Sequence, residues 1–257
     1  MTSPLPSQQV LRRHLVDSRI AGDVATPRES NIAAMRRLAD GDPRTWFGLA
    51  PSTAYSFADV LAIMVERVGV DPDPRRDDGA DTIDPDRTIE RLDAMAARLR
   101  EAVQRRERVF VATGHPAGVL AIHLRIAAAL RRAGCELLTP DVGRRWDYAG
   151  GRRQLRYLAD VAMLSDHGEL NHTHASLPMA ELLADGLAPT LVVADHGWAG
   201  AAGAAGIDVV CFADCNDPAL VVGESQGAIS VTVPLDDNVL PHLYDPLADR
   251  LVAAITA

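Results

Sequence analysis

The chain contains no lysine, and arginine supplies all 26 of its basic residues. That absence excludes lysine Schiff-base chemistry, a pyridoxal-phosphate anchor and a Walker A lysine together. Long apolar runs are missing as well. No window approaches the ~18 consecutive apolar residues of a membrane span, and the start, Met1 to Gln9, lacks the basic-then-apolar plan of a secretion signal. A cytoplasmic protein is therefore expected. Cysteine is scarce: Cys135, Cys211 and Cys215 give an odd count with no CxxC spacing. Neither a disulfide framework nor a four-cysteine zinc site is visible. Cys135 and Cys211 sit in apolar runs as core thiols, Cys215 in a polar loop. There is no excess of positive charge either. A formal net charge of −9 over 257 residues argues against a nucleic-acid partner, which would need a basic face. Arginines do cluster at Arg105, Arg106 and Arg108, and at Arg144, Arg145, Arg152, Arg153 and Arg156. Those clusters suit solvated loops or a basic rim around a small anionic metabolite. No membrane partner is expected, and homo-oligomerisation stays open.

What is present divides the chain in two. Residues 1–82 read as an N-terminal helical region and linker. Apolar spacing predicts helices through Val10–Val16, Asn31–Leu38 and Phe57–Val68, the last capped by Ser56. Residues 69–81, rich in Pro, Gly and Asp, read as an exposed linker. Residues 83–257 open with an amphipathic helix over 83–106 whose face carries Ile89, Leu92, Met95, Ala96 and Leu99. Short apolar runs at Val109–Ala112, Cys135–Leu138, Val161–Leu164, Thr190–Ala194, Val209–Ala213 and Ile229–Val233 then alternate with helical stretches. A closing helix spans Pro241–Ile255. The expected fold is α/β: a Rossmann-like, mostly parallel sheet with helices on both faces, preceded by the N-terminal helical region.

Polar chemistry follows the strands. Parallel strands place their carboxyl ends on one edge, where α/β sheets bind ligands. Thr113, Gly114, His115 and Gly118 lie between a strand and a helix, where glycines and free N–H groups suit a phosphate. His115 is equally a metal ligand, a general acid or a capped loop residue. Asp166, His167, Glu169, His172 and His174 follow the next long strand, and Asp195 and His196 the one after. Clustered imidazoles and carboxylates suit a divalent metal ion, Mg, Mn or Zn. His172 and His174 share a side if that segment is extended. Asp214, Asp217, Glu224, Asp236 and Asp237 add carboxylates, with Asp217, Glu224 and Asp236 as acid–base candidates. Asn216 or Asp217 could instead cap a helix, and Asn238 the last one.

With these segments in view, the chain resembles a family of actinobacterial proteins of this length labelled phosphatases. The resemblance rests on Gly-His-Pro at 114–116, Ser-Asp-His-Gly-Glu at 165–169 and Ala-Asp-His-Gly-Trp-Ala-Gly at 194–200. It continues through Asp-Cys-Asn-Asp-Pro-Ala-Leu at 214–220, Gly-Glu-Ser-Gln-Gly at 223–227 and Val-Pro-Leu-Asp-Asp-Asn-Val at 233–239. It implies phosphomonoester hydrolysis. Zinc deacetylases share His115-Pro116, but Ala117-Gly118 stand where their motif has carboxylates. The expected function is a metal-assisted hydrolase releasing phosphate from a small phosphorylated metabolite. A non-catalytic nucleotide or sugar-phosphate binder and a metal-dependent deacetylase or amidohydrolase remain open beside it.

Overall fold

The computed structural model describes residues 6–148 and 151–256. Helix α1 (Gln8–Asp17) is capped by Ser7 and followed by strand β1 (Gly22–Pro27). Helices α2 (Arg28–Ala39) and α3 (Phe57–Arg67) come next. Ser56 and Asp59 satisfy each other's backbone N–H groups at the start of α3, the reciprocal pattern that fixes a helix N-terminus. Strand β2 (Ala80–Ile83) leads into α4 (Pro85–Arg105), where Asp84 caps and Pro85 fits the first turn. The predicted apolar face of α4 is buried through Ile89, Leu92, Met95, Ala96 and Leu99.

Then come β3 (Arg108–Ala112), α5 (Leu120–Arg132) and β4 (Glu136–Leu137), followed by the strands β5 (Arg145–Tyr148), β6 (Gly151–Leu158), β7 (Val161–Asp166) and β8 (Glu169–Leu170). The remainder is α6 (Leu177–Ala184), β9 (Leu191–Ala194), α7 (His196–Ala204), β10 (Asp208–Ala213), α8 (Pro218–Ser225), β11 (Val231–Pro234), a short 3-10 turn and α9 (Asp245–Thr256). The main sheet runs β11-β10-β9-β3-β7-β6-β5. Strands β11, β10, β9, β3 and β7 are parallel, while β6, β5 and β8 join antiparallel beside β7. Strand β4 shares one side of β3 with β7, each pairing half of it. Helices α4, α5 and α9 lie together and against β3, β7 and β11, whereas α7 and α8 lie against β9, β10 and β11 with α3 and α6 outside them. The largely parallel α/β sheet is as expected, its central strands carrying buried apolar runs.

Three local expectations are corrected. The N-terminal region is not purely helical, because β1 and β2 pair as an antiparallel two-stranded sheet. It also shares the main apolar core: Leu11, Leu15, Met35 and Met64 belong to the same continuous cluster as Val111 and Leu220. The arginine-rich stretch 144–156 is the β5–β6 hairpin, whose half-exposed strands carry no continuous apolar run. The stretch read as an exposed linker is pinned from beneath. Arg28 is fully buried and donates to Asp81 at 2.7 Å, Asn31 donates to the same oxygen at 2.7 Å, and Arg28 also bonds the carbonyl oxygens of Asp71 and Asp73. A cation paired with an anion 53 residues away leaves no trace in a local composition window.

Candidate functional site: a histidine and aspartate pocket at the strand ends

The winding reverses between β3 and β9. From β3 the chain crosses through α5 to β4; from β9 it crosses through α7 and α8, in the opposite direction, to β10 and β11. Connections that leave neighbouring strands in opposite directions open a crevice at their carboxyl ends. Thr113 and Asp195 face each other across it: Thr113 Oγ1 donates to Asp195 Oδ2 at 2.6 Å, and Gly114 N to Oδ1 at 2.5 Å.

Two aspartates at helix starts turn their carboxylates into this crevice. Asp195 precedes α7 and Asp217 precedes α8, yet neither makes a side-chain capping bond. Asp195 Oδ1 lies 3.2 Å from His196 Nδ1, which turns Nε2 toward Asp217 Oδ2 at 3.0 Å and Asp237 Oδ2 at 3.4 Å. A carboxylate behind an imidazole fixes the ring and leaves the far nitrogen to work. His196 holds a φ of 45°, left-handed backbone that costs a non-glycine residue ~1–3 kcal/mol and clusters at functional sites. Asn238, expected as a helix cap, instead brings Oδ1 within 3.2 Å of His115 Nε2.

The segment 171–176 lies flat over these strand ends because two glycines make room. A Cβ on Gly114 would stand 2.3 Å from Thr173 O, and one on Gly197 2.3 Å from the Ala175 carbonyl. Thr173 N donates to Gly114 O at 2.8 Å. His172 and His174 flank Thr173 and enter the crevice from the same side, Nε2 to Nε2 at 3.0 Å. The His172 ring stacks on His115 at 4.3 Å, and His174 lies 4.4 Å from His196. Phe47 closes this group of rings, 5.1 Å from His174 and 5.8 Å, edge-on, from His196. The glycine loop expected to cradle phosphate is filled by the chain itself: a Cβ on Gly118 would overlap the Asp237 carbonyl. Thr113, Gly114, His115 and Gly118 thus wall the crevice instead of opening an anion loop.

Next to the imidazoles sits a carboxylate trio, Asp214, Asp236 and Asp237, with ligand oxygens within 4.8 Å of one another. Strand β1 straps across it. Thr26 Oγ1 donates to Asp214 Oδ2 at 2.6 Å, Ala25 N to Asp236 Oδ2 at 3.1 Å, and Asp236 N to Ile20 O at 2.8 Å.

These environments push the titrations apart. Burial raises Asp214 well above the ordinary carboxylate range, and the neighbouring Asp237 and Asp236 add to it. Burial also raises Asp236. Burial lowers His172 to about 4 and lowers His174, with His196 reinforcing both. The lowered values favour the neutral form of both rings, which can ligate. Burial opposes charge on His115 and His196, but Asp237 beside the first, and Asp217 and Asp195 beside the second, outweigh it and raise both. The same partnership holds Asp195 and Asp217 low against their burial.

Three buried atoms here make no directed hydrogen bond: His115 Nδ1, His196 Nδ1 and Asp217 Oδ2. Each lies 3.0–3.2 Å from an opposing polar atom but out of line with it. Within the candidate ligand set, His196 Nε2 to Asp217 Oδ2 and His172 Nε2 to His174 Nε2, each at 3.0 Å, match the edges of a coordination shell, since bonds of ~2.0–2.1 Å to zinc set tetrahedral ligands ~3.3 Å apart. Two sets share His196: the three imidazoles of His115, His172 and His196, and the mixed set of His174, His196 and Asp217. The residues present fit a divalent ion.

Of the other expected ligands, Asp166, His167 and Glu169 form the tight turn joining β7 to β8, on the rim. His167 is exposed there, and Asp166 accepts from Arg153 Nη1 at 2.9 Å. Glu224 is not brought to the crevice. It ends α8, pairs with Arg91 and Arg67, and accepts from Thr232 N. Arg153 was expected only as one member of an arginine cluster suited to a loop or a rim; sequence reasoning missed Asp237's central position, Phe47 and His123. The last is fully buried on the apolar face of α5, with Nδ1 bonded to Val119 O and Nε2 4.0 Å from Asp195; a lone histidine in an apolar helix was its one signal. Above the imidazoles opens a pocket of about 600 Å³ lined by Pro43, Arg44, Phe47, Arg153, His172 and His174 among others.

A family model described as "Phosphatase" matches residues 6–257. A Streptomyces coelicolor protein, Phosphatase SCO2771, is 49% identical over 255 residues, spanning 96% of this chain and 95% of that protein. No solved structure matches.

Proposed function

We propose, from the premise that this chain belongs to the phosphatase family, that it is a metal-assisted hydrolase releasing phosphate from a small phosphorylated metabolite. One observation carries the metal dependence: four imidazoles and Asp217 converge, partly unbonded, at the base of a pocket whose wall carries Arg153. Ester hydrolysis needs charge neutralised on the phosphoryl oxygens, a nucleophilic water and a proton for the leaving oxygen. His172, His174, His196 and Asp217 would hold the ion, which when bound supplies positive charge beside those oxygens and a more acidic water.

The chain's own groups perform the rest. Arg153 is steadied through Nη1 by Asp166, leaving the rest of its planar fork to grip phosphate oxygens. His115, held between Asp237 and Asn238, carries a ring proton that it can give to the leaving oxygen. Thr113 and Gly114 orient Asp195, and Asp195 orients His196. Asp236 and Asp217, both acid–base candidates, divide their work: Asp236 is tied to the strap, whereas Asp217 faces His196. A pocket of about 600 Å³ suits a metabolite-sized ester, since small-molecule sites run ~300–1,000 Å³.

The test is a phosphate-release screen over p-nitrophenyl phosphate and a panel of phosphorylated metabolites, using metal-stripped protein with magnesium, manganese or zinc restored. Turnover that depends on added metal is expected. Absence of turnover with every metal across the panel would contradict the proposal.

A further inference from the structure

We infer that Asp214, Asp236 and Asp237 form a second cation site, selective for a hard divalent ion such as Mg²⁺ or Mn²⁺, adjoining the histidine site and sharing Asp237 with it. The inference rests on the histidine site described above and extends it to a two-ion centre.

The trio is buried, and among the described residues no arginine forms an ion pair with any of its members. An acidic cluster alone would say little, but Asp237 adds an independent observation. Its side chain is 7% exposed, and its carboxylate accepts no directed hydrogen bond from any described residue. Oδ1 lies 3.0 Å from His115 Nδ1, itself buried and unbonded, and Oδ2 lies 3.4 Å from His196 Nε2. Buried polar atoms are nearly always bonded, so the His115 nitrogen, buried, unbonded and directed to the Asp237 carboxylate, marks a missing partner at this edge of the trio.

The other two carboxylates are already oriented. Asp214 accepts from Thr26 Oγ1 and Cys215 N, and Asp236 from Ala25 N and Asn238 N. One donor on each oxygen leaves each with a second lone pair. Outer partners of this kind align carboxylates on a metal. The donor set is oxygen only, which suits magnesium or manganese, whereas the imidazole-rich set beside it suits zinc. Asp237 stands between the two sets, where a shared carboxylate can hold two ions close enough for both to act on one phosphoryl group.

The full-length chain, stripped of metal and reloaded with one equivalent of Zn²⁺, is titrated with Mn²⁺ while free Mn²⁺ is read by electron paramagnetic resonance. One bound Mn²⁺ beside the retained Zn²⁺ is expected. Asp214→Asn and Asp236→Asn should each weaken Mn²⁺ binding at least tenfold and leave Zn²⁺ in place. Thr26→Val, outside the ligand set, should weaken it less. His174→Ala should release Zn²⁺. Wild-type protein that holds Zn²⁺ but no Mn²⁺, or Mn²⁺ binding unchanged in both aspartate variants, would overturn the inference. Failure of the wild type to hold Zn²⁺ would instead strike the histidine site, and the Mn²⁺ titration of the aspartate variants would still decide this one.

Discussion

Two buried polar clusters lie under the N-terminal segment, and they are built on opposite principles. In the first, Arg28 and Asp81 are both fully buried and neutralise each other, with Asn31 completing the acceptor. In the second, Asp214, Asp236 and Asp237 are buried together without an arginine ion pair among the described residues, and only the His115 and His196 rings face Asp237. The first is closed: each charge has its partner, and its role is to fasten the 69–81 segment to α2. The second is open, since three carboxylates in one low-dielectric site repel one another. Residue type and burial alone do not separate a structural cluster from a functional one. Charge balance does.

The largest expected effect comes from breaking the closed cluster. Arg28→Met removes the close cation from buried Asp81, leaving it only Arg76 Nη2 at 3.8 Å, which costs ~3–5 kcal/mol. Thermal denaturation should show a melting temperature lower by about 10 °C, with or without divalent ions. Asp195→Ala acts on the open side without touching the trio. It frees His196 from its orienting carboxylate and should weaken zinc binding ~10–100-fold. Competition with a chromogenic chelator measures this, and an unchanged affinity would remove Asp195 from the positioning role.

The open cluster also carries a pH signature. Asp214 and Asp236 titrate above their unfolded values, so the stability they lend is complete below the ordinary aspartate range, ~3.9. It is lost as pH rises through their raised values. Metal-free protein should therefore become less stable as pH rises above ~4 on account of this cluster. Asp214→Asn should flatten that decline and raise the melting temperature of the metal-free protein near neutrality. In wild type, saturating divalent ion should offset it, adding ~2.7 kcal/mol at a hundred times its Kd. Melting curves from pH 4 to 8, with chelator or with ion, test both. The smallest effect is expected at Glu224, whose partners are Arg91 and Arg67. Glu224→Gln should leave phosphate release within about twofold of wild type, and a loss of several hundredfold would show that the crevice extends to that side.

The legible parts of the fold were those with local signatures. Continuous apolar runs marked β3, β7, β9, β10 and β11, and apolar spacing marked the buried face of α4. The parallel order then carried His115, His172, His174, Asp195, His196, Asp214, Asp217 and Asp236 to one edge, as the strand-end pattern implied. What escaped was held by tertiary contacts. Strand β1 contains Asp23 and Pro27 and pairs with β2, about sixty residues downstream. The β5–β6 hairpin carries arginines on half-exposed edges. Asp237 was visible as a carboxylate, but its place between His115 and His196 depends on the approach of its backbone to Gly118. Glu224 followed a conspicuous glycine motif at 223–227, yet it sits at the far end of α8 from Asp217.

The central claim, that the crevice hydrolyses phosphate esters with a bound ion, is tested most directly by chelation and reconstitution. Purified full-length protein is stripped of metal, assayed for phosphate release, and assayed again after stepwise return of zinc, manganese or magnesium with bound metal measured in parallel. The account predicts negligible turnover without metal and recovery in proportion to the ion bound. Undiminished turnover in metal-free protein would contradict it.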